Sequence, residues 1–64
     1  MPYIVTKQRK GDTQRWVLTK RGLWCLSYPA VNDYLWATFV TFDLAREKRD
    51  ALQDDEHIFR VEAY

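Results

Sequence analysis

The sequence predicts an α+β fold: a small antiparallel sheet of four to five strands with one helix packed on one face, in the order β-β-β-β-α-β. Turn residues separate several short runs rich in β-branched and aromatic residues, which is typical of strands. Only one segment, residues 42–53, repeats apolar residues at helical spacing. Consecutive strands most often pair antiparallel, and a chain of 64 residues has room for one core, so we expect residues 1–64 to form a single domain.

Three predicted strands occupy the first part of the chain. The first is PYIVTKQ, residues 2–8, and Gly11 marks the turn that follows it. The second is QRWVLT, residues 14–19, and the third is LWCLS, residues 23–27, with Gly22 supplying the turn between them. These spacings predict two consecutive hairpins.

The next segment is interpreted as a loop followed by a fourth strand. Residues 28–33, YPAVND, combine a proline with an Asn-Asp pair, which favours a loop, although Pro29 at a first helical position would allow one short helical turn. Residues 34–40, YLWATFV, have the aromatic and β-branched content of a strand. Because an uncharged strand on an open edge promotes aggregation, we expect this strand to be central and the charged N- or C-terminal strand to form the edge.

The helix is predicted over FDLAREKRDALQ, residues 42–53, with Thr41 or Asp43 as its N-cap. HIFRVEA, residues 57–63, is predicted as the last strand. The side of the helix that faces the sheet is expected to comprise one stripe, in which the aliphatic stem of the lysine lies flat: Leu44, Ala45, Lys48, Ala51 and Leu52.

The predicted strands are apolar on both faces. In the third strand Leu23 and Cys25 point to one side while Trp24 and Leu26 point to the other, and residues 34–40 show the same pattern. One helix of this length spans about 18 Å and shields one side of two or three strands. The other side needs a cover, which the 28–33 loop, curvature of the sheet, a second copy of the chain or a foreign partner would provide. We therefore expect at least one of the three tryptophans to be substantially exposed.

The residue types that carry chemistry do not form a recognisable site. There is no glycine-rich phosphate loop, no GxSxG motif and no His-Glu pair at metal-binding spacing, so we expect no enzyme activity, no cofactor, no metal and no small-molecule substrate. The stretch DDEH, residues 54–57, is interpreted as a solvated acidic turn. The single cysteine, Cys25, excludes an internal disulfide and suits a reducing compartment, and no long apolar stretch is present, so we expect a cytoplasmic protein with no membrane association.

The function favoured by this pattern is a small non-catalytic protein-binding module, an inhibitor or adaptor of a larger host protein of the kind that phages and mobile elements encode. A second copy of the chain, which would form a homodimer, is the other possible protein partner. Tryptophan, tyrosine and arginine are enriched at the centres of interfaces. We expect apolar anchors and a charged rim from the following residues: Trp24, Tyr28, Tyr34 and Trp36 as anchors, and Arg15, Lys20 and Arg21 as the rim.

The alternative function is nucleic-acid binding. Through Arg21 the chain has six basic residues against one acidic residue, whereas the remainder has four against eight. Basic loops beside aromatic strands are a common way to hold single-stranded nucleic acid. The expected contacts lie at the two predicted hairpin turns, close to Trp16 and Trp24: Lys7, Arg9, Lys10, Lys20 and Arg21.

Overall fold

A four-stranded antiparallel sheet with one α-helix packed against it forms the body of the structure, a computed structural model that describes residues 2–27 and 30–64. The predicted α+β class is therefore confirmed. The strands lie in the spatial order β3-β2-β1-β4. In chain order the elements are β1 (Tyr3–Arg9), β2 (Arg15–Leu18), β3 (Trp24–Leu26), a 3₁₀-helix (Ala30–Leu35), α1 (Phe42–Leu52) and β4 (His57–Ala63).

The strand predicted at residues 34–40 is absent, and that part of the prediction is wrong. Its first two residues complete the 3₁₀-helix, and the following residues make only two isolated bridges, from Trp36 to Thr19 and from Phe39 to Tyr3. The reason is tertiary: β1 and β2 pair only as far as Thr6, and residues 36–39 fill the space where the two strands separate.

The loop predicted at residues 28–33 and the predicted edge strands are each confirmed only in part. Residues 28 and 29 of the predicted loop lie outside the described residues, and from residue 30 the chain is helical, which extends the short turn allowed for there. Of the two terminal strands, β1 is central and the charged β4 forms one edge of the sheet. The other edge is β3.

The helix begins where the sequence predicts and ends one residue earlier. The Thr41 hydroxyl oxygen accepts a hydrogen bond from the Leu44 amide at 3.2 Å, so Thr41 is the N-cap. Ala45 is fully buried and Leu52 half-buried, while Leu44, Lys48 and Ala51 are exposed, so the inward stripe is narrower than predicted. In the described residues, neither helix is long and apolar enough to cross a membrane.

Apolar side chains are buried on both faces of the sheet. On one face Val5 and Leu18 pack against Ala45 of α1. On the other face Ile4 and Val17 pack against Trp36, which is only 7% exposed. Trp36, which follows the 3₁₀-helix, therefore covers part of the second face of the sheet, so the chain itself supplies one of the covers that the sequence analysis left open.

The expectation of a substantially exposed tryptophan is wrong. Trp36 is buried, and Trp16 and Trp24 are half-buried. The large apolar residues that remain exposed are mostly aliphatic or lie in the segments around the helix: Leu23, Leu26, Tyr34, Leu35, Val40, Phe42, Leu44, Ile58 and Tyr64.

Candidate functional site

A groove of about 400 Å³ lies on the helix-bearing face of the sheet, beside α1. The helix packs mainly against β1 and β4, and Leu18 of β2 also packs against Ala45, so the groove lies to the side of the helix on the same face. All four strands and the β1–β2 turn contribute to the lining, which consists of Lys7, Arg9, Asp12, Gln14, Trp16, Trp24 and His57. The groove thus combines cations with aromatic rings.

Strand register explains why these residues meet. Lys7 is paired with Trp16 on one side and with Phe59 on the other, and Arg9 is paired with His57. Directly opposed residues of antiparallel strands point to the same face, and residues two apart on a strand do as well. Lys7 and Arg9 therefore point to the same face of the sheet, on which the aromatic side chains of the neighbouring strands also lie.

The aromatic side chains form a connected group. The Trp24 and Phe59 rings meet edge to face, with centroids 5.9 Å apart, and the Phe59 and His57 rings are 6.0 Å apart. The Lys7 ammonium lies 4.4 Å from the centroid of the Trp24 ring, which is the geometry of a cation–π contact. Because Trp24 and Trp16 are only half-buried, part of each ring remains accessible.

Two carboxylates near the groove are engaged by their own turns. The Asp12 carboxylate accepts hydrogen bonds from the Thr13 and Gln14 amides, at 2.6 and 3.1 Å. One Asp54 carboxylate oxygen lies 3.0 Å from His57 Nδ1 and also accepts from the Glu56 and His57 amides. The hydrogen bond with the His57 side chain is the main cause that holds the pKa of Asp54 below its ordinary value.

The predicted partner-binding residues do not lie on one surface. Trp36 is buried, so its ring is not available to a partner in this conformation. Arg15 lies on the face of the sheet opposite to the groove, where it forms an ion pair with Glu62. Tyr34 is 67% exposed on the 3₁₀-helix, and Tyr28 lies outside the described residues.

The predicted nucleic-acid contacts divide between two places. Lys7 and Arg9 line the groove, and Lys10 is exposed in the β1–β2 turn that follows them. Lys20 and Arg21 lie at the other end of β2, in the β2–β3 turn. There they contribute to a second pocket of about 530 Å³, whose remaining lining is Thr19, Leu23, Trp24, Cys25 and Leu35.

The cations Lys7 and Arg9, predicted to lie at a hairpin turn, instead lie within β1 and point to the same face of the sheet. The spacing of Lys7 and Arg9 by two residues was the available signal, since it puts both side chains on one face of a strand. His57 and Phe59 were not predicted either, since they reach the site only because β4 pairs with β1. No local sequence pattern predicts that β4 pairs with β1.

Within the described part of the chain, no three His, Cys, Asp or Glu side chains are grouped so that they could hold a metal ion. No protein family model matches the chain, and searches of curated proteins and of solved structures also give no match. The groove is therefore interpreted from its own geometry.

Proposed function

We propose that this protein binds single-stranded nucleic acid in the groove beside α1, as a cytoplasmic binding module without catalysis. One observation carries the proposal: Lys7 and Arg9 lie on the same sheet face as the accessible rings of Trp16 and Trp24. Proteins that hold single strands combine a cationic track for the phosphates with aromatic side chains on which the bases stack. Here β1 supplies the cations, and the neighbouring β2 and β3 supply the aromatic rings.

A nucleic-acid base that stacks on Trp24 has to replace the Lys7 ammonium, which lies over that ring. An exposed cation–π contact is worth about 0.5–1 kcal/mol, whereas stacking of a base on an aromatic side chain contributes about 1–3 kcal/mol. A base that replaces the ammonium over Trp24 therefore gains more than the protein loses. The displaced Lys7 ammonium is then free to pair with a neighbouring phosphate.

The test is a titration with a twelve-residue thymidine oligonucleotide, followed by tryptophan fluorescence. We expect quenching, since Trp16 and Trp24 stack with bases while Trp36 contributes a constant background. For single strands, log K falls with log salt concentration by about 0.7 per phosphate contact, so Lys7 and Arg9 together predict a slope of about −1.4. A uridine oligoribonucleotide run in parallel shows whether the sugar matters.

The chain offers a matched control for charge. The double variant Lys7→Gln/Arg9→Gln should lose both the affinity and most of the salt slope. The double variant Lys20→Gln/Arg21→Gln removes the same charge from the far end of β2 and should keep both. Equal losses in the two variants would show that binding is generic electrostatics, and an absence of quenching in the wild-type protein would contradict the proposal outright.

A further inference from the structure

The second pocket is apolar inside and lies at the end of the β2–β3 hairpin. Leu23, Cys25 and Leu35 are among its apolar lining residues, and its volume is about 530 Å³. Leu23 is 65% exposed and Leu35 is 42% exposed, so the pocket leaves aliphatic surface in contact with water. Trp24 is the one residue that lines both this pocket and the groove beside α1.

Two cations stand at this pocket without acidic partners. Lys20 and Arg21 are both exposed, and neither forms an ion pair with any carboxylate in residues 2–27 and 30–64. Their turn is fixed by three hydrogen bonds: Thr19 N donates to Leu23 O at 2.7 Å, Gly22 N donates to Thr19 O at 3.0 Å, and Leu23 N donates to the Thr19 hydroxyl at 3.1 Å. Gly22 has φ +81°, a conformation that favours glycine. The cations are therefore held beside the apolar lining.

The outer side of β3 offers backbone groups for pairing. Hydrogen bonds between Thr19 and Leu23 and between Arg15 and Ser27 join β3 to β2. Because bonded and non-bonded positions alternate in an antiparallel ladder, the N–H and C=O groups of Trp24 and Leu26 point away from β2. Among the described strands only β2 pairs with β3. An exposed strand edge is a template for a further strand.

We propose that this edge and pocket bind an extended acidic peptide segment of a larger partner protein. The peptide adds a strand to β3, an aliphatic side chain enters the pocket, and an aspartate or glutamate pairs with Lys20 and Arg21. Strand addition of this kind takes affinity from main-chain hydrogen bonds and specificity from side-chain pockets. The proposal does not rest on the nucleic-acid function, since Lys20 and Arg21 lie at the opposite end of β2 from the groove, although Trp24 lines both sites.

A peptide is the occupant that uses all three features. An anionic lipid would fill the pocket and meet the cations but would leave the β3 edge unpaired. A nucleic acid would meet the cations but would place polar bases or sugar on aliphatic side chains. A second copy that paired its β4 with β3 would form a head-to-tail contact, and such contacts build open assemblies unless the rotation closes a ring.

The experiment starts from a random heptapeptide library displayed on phage and selected against the immobilised wild-type protein. We expect the enriched peptides to combine Leu, Ile or Val with Asp or Glu, free of proline at the positions that pair. Failure to enrich any peptide, or enrichment without acidic residues, would overturn the proposal.

The best enriched peptide is then synthesised with a fluorescent label, and its dissociation constant is measured by anisotropy. Two exposed ion pairs predict that Lys20→Gln/Arg21→Gln weakens binding by about two- to thirtyfold, and Leu23→Asp should also weaken it. The groove variant Lys7→Gln/Arg9→Gln is the matched control and should bind the peptide unchanged. Equal effects of the two double variants would contradict the assignment of the site.

Two further measurements separate the occupants. N-methylation of the peptide amides that pair with β3 should abolish binding, and binding that survives it would refute strand addition. Sedimentation of the wild-type protein alone should show a monomer over a wide concentration range. An oligomer that Leu23→Asp dissociates would mean that a second copy fills the pocket, and the partner peptide would be excluded.

Discussion

Trp36 is expected to be the side chain on which the second face of the sheet depends. It packs against Ile4 and Val17, and its ring centroid lies 5.4 Å from that of Tyr64. At about 200 Å² and about 25 cal/mol per Å², burial of the ring contributes roughly 5 kcal/mol, and measured truncations of large aromatic residues cost about 3–5 kcal/mol. A chain of 64 residues has a total stability of about 3–10 kcal/mol. Trp36→Ala should therefore remove at least about a third of it.

Trp36→Phe provides the discriminating comparison. The indole Nε1 of Trp36 is buried and has no hydrogen-bond partner among the described residues, and such a group costs about 1–3 kcal/mol. Phenylalanine removes that donor while it gives up about 50 Å² of burial, or roughly 1.3 kcal/mol. The two effects nearly cancel, so the free energy of unfolding should stay within about 1 kcal/mol of the wild type.

The assay for both variants is urea unfolding followed by far-ultraviolet circular dichroism, with the dependence on urea concentration checked for a constant slope. We expect the free energy of unfolding to be much lower for Trp36→Ala than for Trp36→Phe. If phenylalanine is as damaging as alanine, the indole nitrogen is making an interaction that the structure does not show. If alanine is tolerated, the second face does not need this cover.

Three smaller perturbations test local features of the fold. Thr41→Ala should cost about 1 kcal/mol in urea unfolding, since it removes the N-cap oxygen, while Thr41→Ser should cost little. Asp54 has a lowered pKa in the folded state through its bond with His57, so its contribution is present above the unfolded pKa of about 3.9 and is lost as the pH falls through the folded value. Asp54→Asn should therefore lower the urea midpoint at pH 7, and this difference should disappear in strong acid. Glu62→Gln breaks a half-buried ion pair with Arg15 and should lower the unfolding free energy by about 1 kcal/mol, less at high salt.

Local patterns predicted β1, β2, β4 and α1 because each of these elements is marked by its own residues. The same patterns failed at residues 34–40. Aromatic and β-branched side chains suit any half-buried extended segment, so they do not distinguish a strand from a short bridging piece. What decides this region is its backbone hydrogen bonds: Lys20 N donates to Leu35 O and Ala37 N donates to Leu18 O at the end of β2, and Phe39 exchanges two bonds with Tyr3 of β1, where the two strands separate. Those contacts are set by the whole sheet and not by the segment itself.

The candidate groove was predictable only in part, for the same reason. The period of a strand puts Lys7 and Arg9 on one face, and a hairpin register then adds Trp16. His57 and Phe59 lie far along the chain and join the site only after the last strand pairs with the first. Where that strand inserts was open from the sequence, so half of the aromatic group could not be placed in advance.

The observed packing refines the expectation that one helix leaves too much apolar sheet uncovered. Helix α1 covers the β1 and β4 side of one face, and Trp36 covers the opposite face over Ile4 and Val17. In the strands and the β2–β3 turn, Leu23, Leu26 and Ile58 remain exposed and Trp24 is half-buried. Burial of apolar side chains stabilises a small domain strongly, so surface left open in this way contributes less to the fold than it would if covered. Since Trp24 lines both the groove and the second pocket, both proposed activities draw on the β2–β3 hairpin, while the groove also needs Lys7 and Arg9 of β1 and His57 of β4.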